Sequence, residues 1–282
     1  MAIENKILTF GGSKVGTVGG DKLMGFAPPR ILDTYGENLY GAYSLRLLRN
    51  AYGGNCVRVR RSSDNAEENF GFIDGVVDMA GIIAFCGGGN GFVTTWYDQS
   101  GLGKDVTQAT AINQPQILAS GTPYTTVGKY YLNFATSHLR RGSETGININ
   151  NICSIALCSL DLAGAYAFGL NTSPRYYAPS IVSSSNWYAY NTANTFNTFL
   201  GVGNRGLFTG NANLTTFKAR LNGSEIGSVG VTSGNIAQIG IGTPNASLYS
   251  TGKYFEFILY SASQSANLTD LETNINDYYA VY

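Results

Sequence analysis

The stretch Ala42–Gln116 carries the strongest indications of the fold in this chain. It begins AYSLRLLRNAYGGNCVRVRR over residues 42–61 and ends FVTTWYDQSGLGKDVTQATAINQPQ over residues 92–116. Runs of β-branched and aromatic residues alternate there with Gly, Asn, Asp and Ser, a pattern typical of short strands joined by tight turns. The same alternation of strand-forming and turn-forming residues continues through the rest of the 282 residues. We therefore predict an all-β protein that is long enough to bury a sizeable core.

Periodicity predicts four elements within this stretch and beside it. Apolar residues recur at helical spacing over Tyr40–Tyr52, which predicts an amphipathic helix. Cys56–Arg61 alternates, so its valines should face the core and its arginines either the solvent or an acidic ligand. Asp74–Phe85 predicts a second short helix with Asp74 as its N-cap. Phe92–Tyr97 is apolar and β-branched, and predicts a buried strand.

The tetrapeptide Asp98-Gln99-Ser100-Gly101 directly follows that last strand. Its carboxylate and hydroxyl are groups that catalysis also uses. However, Asp and Ser before Gly form turns, because their side chains bond nearby backbone amides. We therefore predict a structural turn rather than a catalytic motif.

The order of these motifs resembles the catalytic domain of fungal family-54 α-L-arabinofuranosidases. In chain order the motifs are the helix-like segment Tyr43–Tyr52, Arg61-Ser62-Ser63-Asp64, Thr95–Gly101 (TWYDQSG) and Gly103–Gln108 (GKDVTQ). The same order also resembles a group of bacteriophage virion proteins. Both resemblances imply a concanavalin A-like (jelly-roll) β-sandwich with a few short helices, including one at the C-terminus.

The sandwich domain is predicted to span residues 30–282. An Asn-Gly pair at Asn222-Gly223 predicts a tight hairpin turn, and Leu268–Tyr282 has helical spacing. The strands predicted after residue 119 are Tyr130–Phe134, Cys153–Leu160, Ser180–Val182, Phe217–Leu221, Ile236–Ile241 and Tyr254–Tyr260.

Residues 1–29 are predicted to be an N-terminal arm or anchor. They carry repeated glycines and end at Pro28-Pro29, so they bury little apolar surface by themselves. Their scattered apolar residues suit the groove or sheet edge of a neighbouring subunit or of another virion protein. The alternative is a terminal strand that completes the sandwich edge.

Composition excludes several classes of partner and cofactor. A formal net charge of +0, with only 13% charged residues, argues against a nucleic-acid partner. No window approaches the ~20 apolar residues of a membrane span, and Met1–Phe10 lacks the apolar stretch of a signal peptide. His138 is the single histidine, and the four cysteines lack C-x-x-C spacing, so we predict neither a metal site nor a cofactor.

The cysteines Cys56, Cys86, Cys153 and Cys158 are predicted to be buried thiols. Cys153 and Cys158 lie five apart on a predicted strand, so they should point to opposite faces. In the arabinofuranosidases, the cysteine that matches Cys86 is followed five residues later by a second cysteine. Because Gly91 occupies that position here, the resemblance implies that this disulfide is absent.

The carboxylates of the arabinofuranosidase site are the residues on which the functional prediction depends. A retaining glycosidase needs two carboxyl groups about 5–5.5 Å apart. In the arabinofuranosidases the nucleophile is a Glu in an Asp-Leu-Glu-Asn-Gly-like stretch, and the acid is an Asp in a Gly-Asp-Asn-like one. The nearest string here, Asp161-Leu162-Ala163-Gly164, has no Glu. We therefore predict no catalytic residues.

The resulting prediction is a non-enzymatic bacteriophage virion structural protein, either an exposed head decoration or a tail or fibre-associated protein. Its location would be the virion, assembled in the host bacterial cytoplasm, and it would form a homo-oligomer. A host-surface carbohydrate is a further predicted partner. The alternative is a divergent α-L-arabinofuranosidase-like glycoside hydrolase.

A ligand site is predicted from aromatic residues in a polar stretch. Aromatic planes stack on the C–H faces of sugars, while neighbouring polar groups bond the hydroxyls. The alternative is that these side chains fill the core or an oligomer interface. The predicted sugar-binding residues are Arg175, Tyr176, Tyr177, Trp187 and Tyr190.

Overall fold

The structure is a computed structural model. It describes residues 7–10, 13–17, 29–142, 144–161, 167–172, 175–183, 186–191, 194–198, 203–231, 234–243 and 250–282, with only the backbone described for those before residue 18 and from 171 to 198. The helices are α1 (Ile31–Thr34), α2 (Met79–Cys86) and α3 (Leu268–Tyr279), with a 3-10 turn at Ala111–Asn113.

Strands are numbered in chain order. Those before residue 138 are β1 (Ile7–Phe10), β2 (Ser13–Thr17), β3 (Leu39–Ser44), β4 (Val57–Arg61), β5 (Glu67–Phe70), β6 (Phe72–Ile73), β7 (Val76–Val77), β8 (Gly91–Trp96), β9 (Val106–Thr107), β10 (Gln116–Ala119), β11 (Thr122–Pro123), β12 (Thr125–Thr126), β13 (Lys129–Tyr130) and β14 (Leu132–Ser137). Those that follow are β15 (Leu139–Gly142), β16 (Asn151–Leu160), β17 (Phe168–Thr172), β18 (Arg175–Ser183), β19 (Asn186–Asn191), β20 (Asn194–Thr198), β21 (Gly206–Asn213), β22 (Thr216–Leu221), β23 (Ser224–Gly230), β24 (Gln238–Ile241) and β25 (Ser250–Tyr260).

Antiparallel pairing builds two facing layers. In the first layer, β25 pairs with β16 on one side and with β14 and β3 on the other, and β16 continues into β21, β22 and β23. The second layer runs from β5 through β4, β8, β9, β15, β24, β17, β18 and β19 to β20. Strand β10 pairs with both β8 and β14, and so joins the layers. The predicted all-β sandwich is confirmed.

The core has two parts. The larger part lies between the layers and includes Trp96 and Val59 from one and Tyr43 and Phe257 from the other. The smaller part lies on the outer face of the β25 layer, where α3 covers it. The C-terminal helix predicted from periodicity is confirmed, since Leu271 and Ile275 of α3 are fully buried there and their burial is the main stabilising term for such a helix.

A β-bulge in β25 sets up a polar contact beneath α3. Glu256 lies opposite Leu157 and Tyr254 lies opposite Cys158, so Phe255 is an extra residue in the pairing with β16. The bulge turns both Phe255 and Glu256 toward α3, and Tyr279 of that helix donates a hydrogen bond to Glu256 Oε2 at 3.2 Å.

One helix prediction is wrong, and the other is confirmed with a different start and N-cap. Tyr40–Tyr52 contains β3, which is buried along its whole length because Ala42 packs on the α3 side and Tyr43 between the layers. A strand that is buried on both faces is apolar throughout, and such a run also matches helical spacing. The second helix begins at Met79 rather than near Asp74, and its N-cap is Asp78, whose Oδ1 accepts from Gly81 N at 2.8 Å.

Elements with strong local signals are confirmed. Both valines of β4 are fully buried, while its arginines are partly exposed. Strand β8 ends at Trp96, close to the predicted boundary. Asn222 and Gly223 have φ angles of 49° and 77° between β22 and β23, as a two-residue hairpin turn requires. Of the other strands predicted after residue 119, four lie within described strands, whereas Tyr130–Phe134 is divided between β13 and β14 and Ile236–Ile241 begins two residues before β24.

The N-terminal segment is described only in part. Strands β1 and β2 pair with each other as a two-stranded sheet, and the rest of residues 1–28 lies outside the described residues. Whether residues 1–29 anchor the chain to another protein stays a prediction. Among the described residues, none of the helices has the length and apolarity needed to cross a bilayer.

All four cysteines are buried, as predicted. Cys153 and Cys158 lie in different parts of the core, which confirms that they point to opposite faces. A Cβ atom placed on Gly91 would lie 3.0 Å from Cys86 Sγ. The glycine therefore occupies the position from which a second cysteine would reach Cys86.

We expect Gly91→Cys to form a disulfide with Cys86 under mild oxidation. The S–S bond needs close Cβ atoms, and closing so short a loop should stabilise the fold by at most about 2 kcal/mol. Mass spectrometry after alkylation should then show two thiols fewer than in the reduced variant. Gly89→Cys is the matched control, because a Cβ there meets no thiol. Equal thiol loss in both variants would contradict the geometry.

Candidate functional site

A cleft of about 400 Å³ lies between the β6–β7 turn, the start of α2, the β12–β13 turn and α3. Its polar and aromatic lining includes Asp74, Asp78, Lys129, Tyr130 and Tyr278. Carboxylates and an ammonium group bond sugar hydroxyls, and tyrosine rings stack on sugar C–H faces. The size and lining of the cleft suit a single sugar unit.

Local backbone chemistry positions the two carboxylates. Asp74 and Gly75 join β6 to β7 with φ angles of 51° and 78°, the left-handed conformation that Asp-Gly turns adopt. Asp78 follows β7 directly and caps α2 through Gly81 N. The same short segment therefore brings an exposed carboxylate and a fixed one to one wall of the cleft.

On the opposite wall of the cleft, the side chains of Lys129 and Arg46 both contact the ring of Tyr278. Lys129 Nζ lies 3.7 Å from the centroid of the Tyr278 ring, and Arg46 Cζ lies 4.6 Å from it. Burial, together with the nearby Arg46 charge, lowers the pKa of Lys129. Burial also raises the pKa of Tyr278. The ring is thus held by cation–π contacts, and the ammonium group stands at the cleft surface.

A buried ion pair fixes Arg46 behind this wall. Arg46 Nε and Nη2 donate to the two oxygens of Glu256 at 2.8 and 2.9 Å, and both side chains are nearly inaccessible to solvent. Ser44 Oγ donates to the same carboxylate at 2.8 Å. Burial opposes the charge of Arg46, but Glu256 outweighs it and raises the pKa of the guanidinium.

A smaller pocket of about 190 Å³ adjoins the cleft across Tyr278. Its polar residues are Arg30, Arg46 and Asn274, and its apolar ones are Pro29, Ile31 and Leu47. The pocket and the cleft are neighbours because Tyr278 lines both.

The Asp98-Gln99-Ser100-Gly101 segment has the predicted structural role. Asp98 Oδ1 accepts from the N–H groups of Ala42 and Ser100 at 2.8 and 2.9 Å, and Oδ2 accepts from Lys104 N at 3.0 Å and from the Ser100 hydroxyl. Gln99 bonds the backbone of Ser44, Arg46 and Leu48. The segment therefore ties its own loop to β3 and to the residues that follow β3, and its two carboxylate oxygens accept four hydrogen bonds.

Two other buried polar groups are also bound by neighbours. Glu144 accepts from Lys104 Nζ at 2.7 Å, from Arg141 Nε at 2.6 Å and from the Tyr40 hydroxyl. Although burial opposes ionisation, these donors lower the pKa of Glu144. His138 is buried against Gln108, and burial lowers its pKa. Among the described residues, no group of three His, Cys, Asp or Glu side chains is arranged to hold a metal ion.

The predicted sugar-binding residues lie on two paired strands. Arg175, Tyr176 and Tyr177 are in β18, and Trp187 and Tyr190 are in β19, where Tyr177 is the register partner of Tyr190. The backbone pairing brings these positions together, but the described side chains do not include them. A sugar site at these residues stays a prediction.

The residues of the cleft were not predicted from sequence as a site. The sequence predicts Asp74 as a helix N-cap and Tyr278 as part of the terminal helix, and it gives no functional signal for Asp78 or Lys129. The Asp-Gly pair at Asp74-Gly75 did signal a turn. The sequence offers no signal that brings residues 73–80, 128–130 and 278 together.

Comparison with known proteins points to one group. A family model described as "Alpha-L-arabinofuranosidase B, catalytic" matches residues 31–126. A probable α-L-arabinofuranosidase B of Aspergillus terreus is 37% identical over 98 residues, which is 34% of this chain and 19% of that protein.

Two solved structures share the fold. An arabinofuranosidase complexed with arabinofuranosyl-α-1,2-xylobiose has a TM-score of 0.70 at 17% identity, covering 84% of this chain and 62% of that one. A GH54 α-L-arabinofuranosidase soaked with a cyclic sulfate inhibitor also has a TM-score of 0.70, at 15% identity, covering 86% and 63%. The chain thus spans less than two thirds of each of these relatives.

These matches correct the functional prediction. The prediction of a non-enzymatic virion structural protein located in the virion is wrong, because the similarities are to glycoside hydrolases. The resemblance to bacteriophage proteins is not shown. What is shown is similarity to the family-54 α-L-arabinofuranosidase catalytic domain, with its β-sandwich fold.

Proposed function

We propose that this protein is a divergent glycoside hydrolase of the α-L-arabinofuranosidase type, with its sugar site in the cleft. One observation carries the proposal. The segment that matches the arabinofuranosidase family, residues 31–126, supplies the wall of the cleft that bears both Asp74 and Asp78.

The carboxylates of Asp74 and Asp78 differ in exposure and in hydrogen bonding, which suits two different catalytic roles. Asp78 is held by the Gly81 N–H at the first turn of α2, so its position is fixed. It would stabilise the positive charge on the sugar ring while water attacks, or it would displace the leaving group from the anomeric carbon to form a glycosyl ester that water then hydrolyses. Asp74 is exposed on the rim and would exchange a proton with the leaving group.

The remaining residues of the cleft would orient the sugar. Lys129 would donate hydrogen bonds to ring hydroxyls, and the ring of Tyr130 would pack on a C–H face of the sugar. Cation–π contacts of Tyr278 with Arg46 and Lys129 hold the Lys129 ammonium in place before the ligand binds.

The site differs from the one implied by the family motifs. Asp161 directly follows β16, and its N–H donates to Thr251 O at 2.9 Å. The position after Leu162 is Ala163 instead of a Glu, and residues 162–166 lie outside the described residues. The proposal therefore assigns catalysis to carboxylates of the matched segment and not to this string.

Hydrolysis of 4-nitrophenyl α-L-arabinofuranoside tests the proposal. We expect Asp78→Asn and Asp74→Asn each to lower kcat/KM by about 10²-fold or more, as loss of a catalytic carboxylate does. Asp277→Asn is the matched control, because Asp277 is an exposed carboxylate on α3. Circular dichroism should show that all variants fold. The proposal fails if the wild-type chain releases no nitrophenol, or if the three variants have equal rates.

A further inference from the structure

The pocket beside the cleft has a cationic lining. Arg30 and Arg46 both line it, and none of its lining residues is acidic. The cleft itself carries Asp74, Asp78 and Lys129. A ligand that spans both sites would therefore meet carboxylates at one end and guanidinium groups at the other.

Arg30 keeps its charge available. Its Nε donates to Asn50 Oδ1 at 2.9 Å and its Nη1 donates to Leu47 O at 3.2 Å, and both acceptors are neutral. No ion pair joins its guanidinium to a carboxylate of the described residues. The two hydrogen bonds fix the guanidinium at the pocket wall without neutralising it.

Asn274 adds a neutral donor. Arg46 Nη1 donates to Asn274 Oδ1 at 3.1 Å, which orients the amide and leaves Nδ2 as a donor. Arg46 itself is already paired with Glu256 through Nε and Nη2. Arg30 is thus the cation of the pocket lining that has no ion-pair partner among the described residues, and the oriented amide of Asn274 can donate a hydrogen bond beside it.

The rest of the pocket is apolar. Ile31, Leu47 and Pro29 line it together with the Tyr278 ring. Such walls suit the C–H face of a sugar better than a bare inorganic anion, which would lose its hydration against them.

We infer that this pocket binds the carboxylate of a uronic acid, joined to the sugar unit in the cleft. Arg30 and Asn274 would bond the carboxylate. The inference rests on the proposed function, because it takes the cleft as the sugar site. It identifies the substrate class as an acidic, uronate-containing glycan.

Equilibrium binding by isothermal titration calorimetry tests the inference with three probes: D-galacturonate, D-galactose and acetate. We expect D-galacturonate to bind at least about tenfold more tightly than either other probe. It alone has both a carboxylate to bond the Arg30 guanidinium and a sugar ring to pack on the apolar wall. Its affinity should fall as ionic strength rises. Equal affinity for D-galactose, or for acetate, overturns the inference.

Two variants locate the site. Asn274→Asp places a negative charge against the carboxylate and should weaken D-galacturonate binding about tenfold or more. Thr273→Asp adds the same charge on the exposed side of α3 and should leave binding unchanged. Arg30→Gln should also weaken binding, and thermal unfolding of each variant separates this effect from loss of fold. Equal binding by the Asn274 and Thr273 variants overturns the assignment.

The binding measurement is independent of hydrolysis. A chain that hydrolyses the aryl arabinofuranoside but binds D-galacturonate no better than D-galactose refutes only the pocket assignment. A chain that prefers D-galacturonate but releases no nitrophenol refutes only the hydrolase proposal.

Discussion

Replacing Arg46 with methionine should lower the free energy of unfolding by about 3–5 kcal/mol, because it leaves Glu256 as an unpaired buried charge. Arg46 supplies two of the hydrogen bonds to that carboxylate, and Ser44 and Tyr279 cannot neutralise it. Urea unfolding, followed by tryptophan fluorescence, measures the change.

The matched control is Arg58→Met. Arg58 forms an ion pair with Glu67 at 2.6 Å, but both side chains are substantially exposed. An exposed pair contributes at most about 1 kcal/mol, so this variant should stay close to the wild type.

A double variant tests the cause. If the loss comes from the unpaired charge, Arg46→Met combined with Glu256→Leu should recover most of the stability, since an apolar pair can replace a buried ion pair. A double variant less stable than Arg46→Met, or a single variant no less stable than Arg58→Met, would show that the ion pair is not the stabilising contact.

The second large effect is expected for Asp98→Ala, which should lower the free energy of unfolding by about 3 kcal/mol or more. The substitution removes the acceptor for the N–H groups of Ala42, Ser100 and Lys104. Each buried donor left without an acceptor costs about 1–3 kcal/mol. The loop of residues 98–104 should therefore separate from β3, which lowers the urea midpoint.

The comparison variant is Asp64→Ala. Asp64 also accepts from a backbone N–H, that of Ala66, and binds Arg61, but it is exposed. Removing the Asp64 carboxylate should lower the free energy of unfolding by at most about 1 kcal/mol. A catalytic role for Asp98 instead predicts that Asp98→Ala keeps full stability and loses hydrolysis, so unfolding and rate measurements together distinguish a structural role from a catalytic one.

The functional prediction failed for an identifiable reason. It gave most weight to two missing carboxylate motifs, whereas the detectable similarity to arabinofuranosidases lies at 31–126, ahead of the Asp161 string. Within that segment Asp98 proved structural, and Asp74 and Asp78 reached the surface of a cleft. A motif count along the chain does not show which carboxylates the fold leaves accessible.

Elements whose signal is local could be predicted from the amino-acid sequence. Alternation over Cys56–Arg61 predicted a strand, and the Asn222-Gly223 pair predicted a turn. The apolar spacing of Leu268–Tyr282 predicted a helix. In each case the residues that carry the signal are also the residues that contact one another or share one face, so no distant partner is needed.

Tertiary structure alone decided the rest. Residues 40–44 became a strand because β25 offers a pairing edge and because both of its faces are covered, which no local pattern records. The bulge at Phe255 exists only in register with β16, and it places Glu256 against Arg46. The cleft joins residues 73–80 to Tyr278, about two hundred positions away. Such contacts depend on how the layers and α3 pack. The hydrophobic effect is not directional, so it does not specify which residues become neighbours until the side chains of the whole core pack together.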